Sequence, residues 1–169
     1  EYLSIIHSYF GGEGDDRKMV DTDTTPLFED GLWIQLRELD GRFNDGKDWS
    51  GRLVPALWQT RKDHSPPMPV DASIERSETT FQGQSVTRFT LNYGEQTVIF
   101  DVAKDYPHHI VHYKRNGGTE LRLKKVERLA YWRMNASKDA AQRKKLGLDP
   151  TLYDGEPTDS PSSESSTPK

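Results

Sequence analysis

Three histidines close together, His108, His109 and His112, are the residues of this sequence best suited to bind a metal ion. Two histidines four residues apart lie on one face of a helix and can share one ion. The apolar neighbours Ile110 and Val111 instead predict a strand, in which four residues span about 13 Å. His108 and His112 are then too far apart to bind one ion unless another strand supplies ligands. We therefore predict no metal site.

Residues suited to covalent or acid–base catalysis form no motif. The chain has no cysteine, which excludes a thiol nucleophile, a disulfide framework and cysteine-based metal sites. It has no Gly-x-Ser-x-Gly sequence, the turn that presents a serine nucleophile. The acidic segments around Asp15 and Asp45 lack the spacing of a helix–loop–helix calcium site, which favours solvated loops. We predict no catalytic residue and no cofactor.

The segment 122–133 combines basic residues with Tyr131 and Trp132, as nucleic-acid surfaces do. The whole chain, however, carries 27 acidic and 23 basic residues, a formal net charge of −4. A protein that binds nucleic acid through its overall charge has the opposite balance. We interpret the basic residues as the solvated face of a strand whose Leu121 and Leu123 pack inward, and we predict no nucleic-acid partner.

Short runs of alternating apolar and polar residues, separated by turn residues, predict antiparallel strands. In the run 84–93, Phe89, Leu91 and Tyr93 fall on one face. Asn116-Gly117 is the preferred pair for a type I′ turn between two strands. The predicted strands are 2–10 and 49–61, followed by a meander over 69–78, 84–93, 95–102, 108–114 and 119–128.

Two segments predict helices. Apolar residues recur at helical spacing from Phe28 to Leu39, after Thr25, which can cap a helix, and Pro26, which suits the first helical position. We therefore predict an amphipathic helix over 26–39 that covers the sheet. A short charged helix is predicted over 137–146, where a glycine follows.

The composition predicts one folded domain and a tail. Residues 150–169 are dominated by Pro, Ser, Thr, Glu and Asp, which bury too little apolar area to offset the entropy of ordering. We predict a single β-rich domain over 1–149 and a disordered tail over 150–169. No apolar run reaches the length of a transmembrane helix.

A sequence pattern runs through residues 26–135: it consists of the helix that precedes the strands, the run 97–102, Tyr106-Pro107-His108 with the strand 110–113 that follows, and the segment 127–132. In this pattern the chain resembles a loose group of bacterial β-domain proteins, many of them extracytoplasmic, whose function is not established. In that group a strand ends at a Pro-His pair and the next strand returns beside it. The resemblance implies a curved antiparallel sheet with a helix against it, and it implies no catalytic residues.

We predict an α+β, β-rich fold: a curved antiparallel sheet or partial barrel, one covering helix and a short C-terminal helix. Curved sheets with aromatic faces commonly bind ligands. We therefore predict a non-catalytic extracytoplasmic binding or scaffold domain that binds an apolar small molecule or a partner protein on its concave sheet face. The aromatic residues predicted to form this surface are Trp33, Trp49, Trp58, Phe89, Tyr93 and Phe100.

A second hypothesis is an accessory C-terminal domain of a larger enzyme whose catalytic part lies upstream. The chain begins with Glu1 and not with methionine, and we expect a processed product. A removed signal peptide would support the extracytoplasmic binding domain, and an upstream folded domain would support the accessory role.

Overall fold

The computed structural model describes residues 2–6, 16–62, 67–134 and 136–148. The chain divides into two compact units, Glu1–Leu123 and Lys124–Lys169. The predicted tail 150–169 and the end of the predicted strand 2–10 lie outside the described residues. In the first unit, β1 (Tyr2–Ile6) and β2 (Asp16–Val20) form a small antiparallel sheet of their own.

A seven-stranded sheet is the centre of the first unit, and its strands follow one another in chain order. β3 pairs with β4 in parallel, and all the later neighbours are antiparallel. The structure is β-rich with few, short helices, and this sheet is not closed into a barrel, so the β-rich fold prediction is confirmed. The strands are β3 (Leu27–Phe28), β4 (Trp49–Val54), β5 (Val70–Phe81), β6 (Gln84–Tyr93), β7 (Gln96–Ala103), β8 (Ile110–Arg115) and β9 (Glu120–Arg122).

The strands β5 to β8 lie where the alternating pattern predicts a meander. The last strand is much shorter than predicted, because β9 covers only Glu120–Arg122 of the segment 119–128. Leu121 and Leu123 are 53% and 42% exposed, so the prediction that they pack inward is wrong. An edge strand such as β9 has a neighbouring strand on one side only. The segments that pack on the sheet do not extend far enough to cover its apolar side chains.

The turns of the meander also differ from the prediction. Both Gln82 and Gly83 have positive φ, +50° and +82°, so the type I′ turn joins β5 to β6. Asn116 does not have positive φ, and a longer loop joins β8 to β9, closed by the Arg115 N–H that donates to the Thr119 carbonyl at 2.8 Å. The Asn116 side chain is instead bound to the neighbouring β6–β7 turn.

One face of the sheet, which we call the inner face, carries the main hydrophobic core. Phe89 on β6 pairs with Phe100 on β7, and Leu91 pairs with Val98, as the period of two predicts. All four are at most 1% exposed. Complete burial of side chains of this size contributes roughly 2–3 kcal/mol each, so this face is the main source of stability.

The layer over the inner face is not the long helix predicted for 26–39. Leu27 pairs with Leu53 as part of β3, and a 3₁₀ turn (Glu29–Gly31) leads into the short helix α1 (Leu32–Gln35). Leu32 and Leu36 are buried against the sheet as the helical spacing predicts. Backbone pairing to β4 overrides helical propensity at the start, and a positive φ of +53° at Glu38 ends the helical path.

The strand predicted for 49–61 ends early. β4 stops at Val54, because Pro55 has no N–H with which to continue the ladder. The chain then forms the helix α2 (Leu57–Lys62), whose first N–H donates to the Asp30 carboxylate at 3.0 Å. No helix among the described residues is long and apolar enough to cross a membrane.

The opposite face of the sheet carries a smaller cluster of Val86, Ala103 and Val111, with Phe81 packed against it. Phe81 lies on β5, yet its ring stacks on His112 of β8 with the ring centroids 4.3 Å apart. The end of the β5–β6 hairpin therefore curves over this face, across β6 and β7.

The second unit contains two 3₁₀ segments, Tyr131–Arg133 and Ser137–Leu146. The second occupies the position of the predicted C-terminal helix, and Gly147 ends it with φ of +72°. Its helical position is as predicted, but its hydrogen bonding is of the 3₁₀ kind.

Candidate functional site

Most of the aromatic residues predicted to bind a ligand lie in or against the core. Phe89 and Phe100 are 1% and 0% exposed, and Trp49 is half-buried against the same cluster. Tyr93 is also buried, but its hydroxyl belongs to a polar network at the end of the inner face. These four side chains stabilise the fold in this conformation.

Trp33 and Trp58 are the two predicted residues at the surface, with exposed fractions of 39% and 44%. Their neighbours in the chain, Ile34 and Leu57, are 71% and 57% exposed. The Trp33 ring lies on Tyr113 and the Trp58 ring on Arg115, two positions further along β8. We call Trp33, Ile34, Leu57 and Trp58 the aromatic surface.

A buried ion pair lies beneath the aromatic surface. The Arg115 guanidinium donates to the Glu29 carboxylate, and both residues are at most 3% exposed. The other Glu29 oxygen accepts the Ala56 N–H at 3.0 Å and the Tyr93 hydroxyl at 2.9 Å. Arg115 also donates to the hydroxyls of Tyr93 at 2.8 Å and Tyr113 at 3.1 Å. One carboxylate thus connects the 3₁₀ turn, the residue before α2 and two strands.

Burial governs the protonation of this network. Desolvation raises the pKa of Tyr93 to about 12 although Arg115 opposes the shift, and desolvation likewise raises the pKa of Tyr113. Desolvation lowers the pKa of Arg115, but its hydrogen bonds with both tyrosines and the charge of Glu29 outweigh this, so that pKa lies above its ordinary value. Both tyrosines stay neutral and Arg115 stays charged at physiological pH.

The aromatic surface is held in place by this network. The Trp58 ring lies 5.1 Å from the Arg115 guanidinium, a cation–π contact. Trp33 stacks on Tyr113 with the centroids 4.9 Å apart and meets the edge of Phe100 at 5.4 Å. Each exposed indole therefore rests on a buried, hydrogen-bonded residue, which fixes its orientation.

The Glu29–Arg115 network is suited to holding the aromatic surface in place and not to proton transfer. Each nitrogen of the Arg115 guanidinium donates to Glu29, Tyr93 or Tyr113, and both Glu29 oxygens accept. No group of the pair is left to polarise or deprotonate a substrate. What the arrangement offers to solvent is the apolar face of two immobilised indoles.

A second polar cluster lies on the opposite face of the sheet. Asp101 is 0% exposed and accepts two hydrogen bonds from Arg88, at 2.7 and 2.9 Å. His112 places Nδ1 2.8 Å from Asp101 and Nε2 3.0 Å from Glu120. Because both ring nitrogens are engaged, His112 has no nitrogen with which to activate a nucleophile.

The other histidines lie outside the strand. β8 begins at Ile110, so His108 and His109 belong to the preceding turn, and the prediction that His108 shares a strand face with His112 is wrong. Arg37 holds this turn by donating to the carbonyls of Pro107 at 2.8 Å and of His108 at 3.2 Å. In the described part of the chain, no three His, Cys, Asp or Glu side chains are grouped to hold a metal ion.

Comparison with known protein families, curated proteins and solved structures gave no match to this chain. The resemblance to extracytoplasmic β-domain proteins is therefore untested and stays a prediction.

The two charged residues at the centre of the polar clusters, Glu29 and Asp101, were not predicted from the sequence. Glu29 follows the apolar pair Leu27–Phe28, and Asp101 stands between Phe100 and Val102. A charged residue inside an apolar strand is buried only when it is paired. That rule predicts a partner for Asp101, but the alternation along one strand does not say which basic residue supplies it.

Proposed function

We propose that this chain is a non-catalytic binding domain that recognises an apolar segment of a partner protein through the aromatic surface. The observation that carries the proposal is the pair of exposed indoles, Trp33 and Trp58, each held on a buried residue of β8. Tryptophan dominates binding energy at protein interfaces, where it acts as an anchor.

The fixed orientation of the rings supports this function. Ordering a side chain on binding costs about 0.5–1.5 kcal/mol. Trp33 is stacked on Tyr113 and Trp58 on Arg115 before any partner arrives, so most of this cost is already met in folding.

The exposure of the surface favours a protein partner over a small molecule. Small-molecule sites are concave and bury most of the ligand. Ile34 and Leu57 are 71% and 57% exposed, so they line no enclosed pocket. A peptide segment with apolar side chains can cover them and exclude water from both rings.

An extracytoplasmic location belongs to the same proposal. Its support is the resemblance of residues 26–135 to β-domain proteins, many of which are extracytoplasmic. Fusion of the natural gene product to a reporter that is active only outside the cytoplasm tests the location without reference to binding.

Selection from a displayed random peptide library tests the binding function. We expect the wild-type chain to enrich peptides rich in apolar residues. Their affinity should fall about tenfold or more for Trp33→Ala and for Trp58→Ala, as for anchor residues at interfaces. Trp132→Ala is the matched control, because Trp132 is 63% exposed and belongs to the other unit.

Thermal unfolding of each variant separates loss of binding from loss of the fold. Peptides that bind the Trp33 and Trp58 variants as tightly as the wild type would refute the proposal. So would a selection in which Trp132→Ala is the only variant to lose binding.

A further inference from the structure

We propose that two copies of this chain associate through β9, whose free edge is complementary to itself under a two-fold rotation. The proposal does not depend on the aromatic surface. It rests on the direction of the backbone groups of β9 and on the order of charges along it.

The free edge is defined by the pairing of β9 with β8. The Arg115 N–H donates to Thr119, and the Leu123 N–H donates to Val111, at 2.8 and 2.9 Å. Leu121, which lies opposite Tyr113, is two positions from both Thr119 and Leu123, so its backbone groups also face β8. In an antiparallel ladder the alternate residues direct their N–H and C=O groups away from the partner strand. The backbone groups of Glu120 and Arg122 therefore face away from the sheet, and β9 is the last strand of this sheet among the described residues.

The side chains of those two residues carry opposite charges. The Glu120 and Arg122 side chains are 35% and 49% exposed and lie on the same face as His112. Leu121 lies on the inner face, where it is 53% exposed. Charged residues on an edge strand ordinarily prevent association. When an edge strand carries one acidic and one basic residue two positions apart, the charges prevent association only with a strand that places like charges opposite them.

A second copy presents the right order. With the two-fold axis at Leu121, Glu120 stands opposite Arg122 of the other copy, and Arg122 stands opposite its Glu120. All four residues direct their backbone groups to the shared edge, so each opposed pair exchanges two hydrogen bonds. The four charges then alternate, and the two Leu121 side chains meet on the inner face.

The charges also select this register. An axis at Glu120 would place two carboxylates opposite each other, and an axis at Arg122 would place two guanidinium groups opposite each other. Like charges directly opposite in a ladder are destabilising. The contact is the same on both copies, as closed two-fold dimers require, and it joins two seven-stranded sheets through one short strand. We expect a weak dimer.

Sedimentation equilibrium on the full chain tests the inference, from about 10 μM to about 1 mM, the range of weak association. We expect the wild type to dimerise. Glu120→Arg and Arg122→Glu each place like charges opposite each other, so each should self-associate about tenfold or more weakly. Mixed together, the two variants restore both opposite-charge pairs and should form a heterodimer. Lys47→Glu is the control for Arg122→Glu, because it makes the same charge change at an exposed residue outside β9.

The proposal is overturned if the wild type stays monomeric over the whole concentration range. It is also overturned if Arg122→Glu dimerises as strongly as the wild type, or if the mixed variants do not associate. Glu120 also contacts His112, so circular dichroism must show that Glu120→Arg is folded. If it is not, the Arg122→Glu result alone decides, because the Arg122 guanidinium donates to Glu120, whereas the Glu120 carboxylate also bonds to His112.

Discussion

Glu29 and Arg115 are 86 positions apart in the chain and form an ion pair at the end of the inner face. Both are at most 3% exposed, and every polar atom of the pair has a partner. The pair fixes the 3₁₀ turn and α2 on the end of β8. It also sets the position of Trp58, which lies on the guanidinium.

The replacement Arg115→Met should lower the free energy of unfolding by about 3–5 kcal/mol, because it leaves the Glu29 carboxylate buried without its counter-charge. Urea unfolding at neutral pH measures the loss. The double variant Glu29→Gln/Arg115→Met removes both charges and keeps an acceptor for the Ala56 N–H. It should be more stable than Arg115→Met alone, and equal or greater destabilisation would show that the charge is not the cause.

Alkaline pH should destabilise the fold through Tyr93. Its folded pKa of about 12 lies above the ordinary value of 10.0. A group with a raised folded pKa contributes stability that is complete below the ordinary value and is lost as pH rises through the folded pKa. The free energy of unfolding should therefore fall between pH 10 and 12.

Tyr93→Phe provides the comparison for the alkaline loss. It cannot ionise, so its stability should depend less on pH over that range, with a residual loss from Tyr113, whose pKa is also raised. Urea unfolding across the range, together with tyrosinate absorbance, measures both effects. Parallel curves for the parent and Tyr93→Phe would show that Tyr93 is not the group responsible.

Much of the sheet could be predicted from the sequence because period-two alternation is a local property. The run containing Phe89, Leu91 and Tyr93 gives β6 its bounds without reference to any other strand. The segment 26–39 could not be predicted in this way. Leu32 and Leu36 fit a helix, but Leu27 is held by a parallel pairing with Leu53 that no local pattern contains.

Only part of the candidate site could be predicted from the sequence, because residue type is a local property and contacts between distant strands are not. Trp33 and Trp58 could be chosen by residue type alone, and the structure places them on Tyr113 and Arg115, two positions apart on β8. Their supports could not be chosen, because Glu29 and Arg115 meet only through the order of the strands. The choice of Phe89 and Phe100 shows the converse, since large aromatic residues on a sheet are as well suited to a core as to a surface.

Glu120 should show a carboxyl pKa below the ordinary value of 4.5, chiefly because Arg122 bonds to it and secondly because His112 does. A lowered folded pKa contributes stability that is present above the ordinary value and is lost as pH falls through the folded value. Carbon-detected NMR titration of a dilute sample measures this pKa. Arg122→Gln should raise it towards 4.5 and an exposed-site control, Lys47→Gln, should not, whereas an unchanged pKa in Arg122→Gln would exclude Arg122 as the main cause.

The loop between β8 and β9 should be sensitive to side chains at Gly117. Its φ is +92°, and that of Gly118 is +108°, in the region that disfavours a β-branched residue. A Cβ at Gly117 would meet no atom within 4 Å, so the cost of Gly117→Val is backbone strain of roughly 1–3 kcal/mol. Asn116 stays bound, since its side chain accepts the Thr97 N–H at 3.0 Å. The loss of stability should therefore come from weaker pairing between β8 and β9.

Chemical denaturation of Gly117→Val and of a second glycine variant tests this assignment. Gly31 has φ of −71°, and an added Cβ would touch only the Gln35 side chain, at 3.6 Å. Gly31→Ala should thus leave stability unchanged or raise it by up to about 1 kcal/mol, through the unfolded state. Amide exchange should show faster opening at Tyr113 and Leu121 in Gly117→Val alone, because these residues pair across the hairpin. A Gly117→Val chain that unfolds like its parent would mean that the loop adopts another conformation in solution, and the register of β9 derived from it would be wrong.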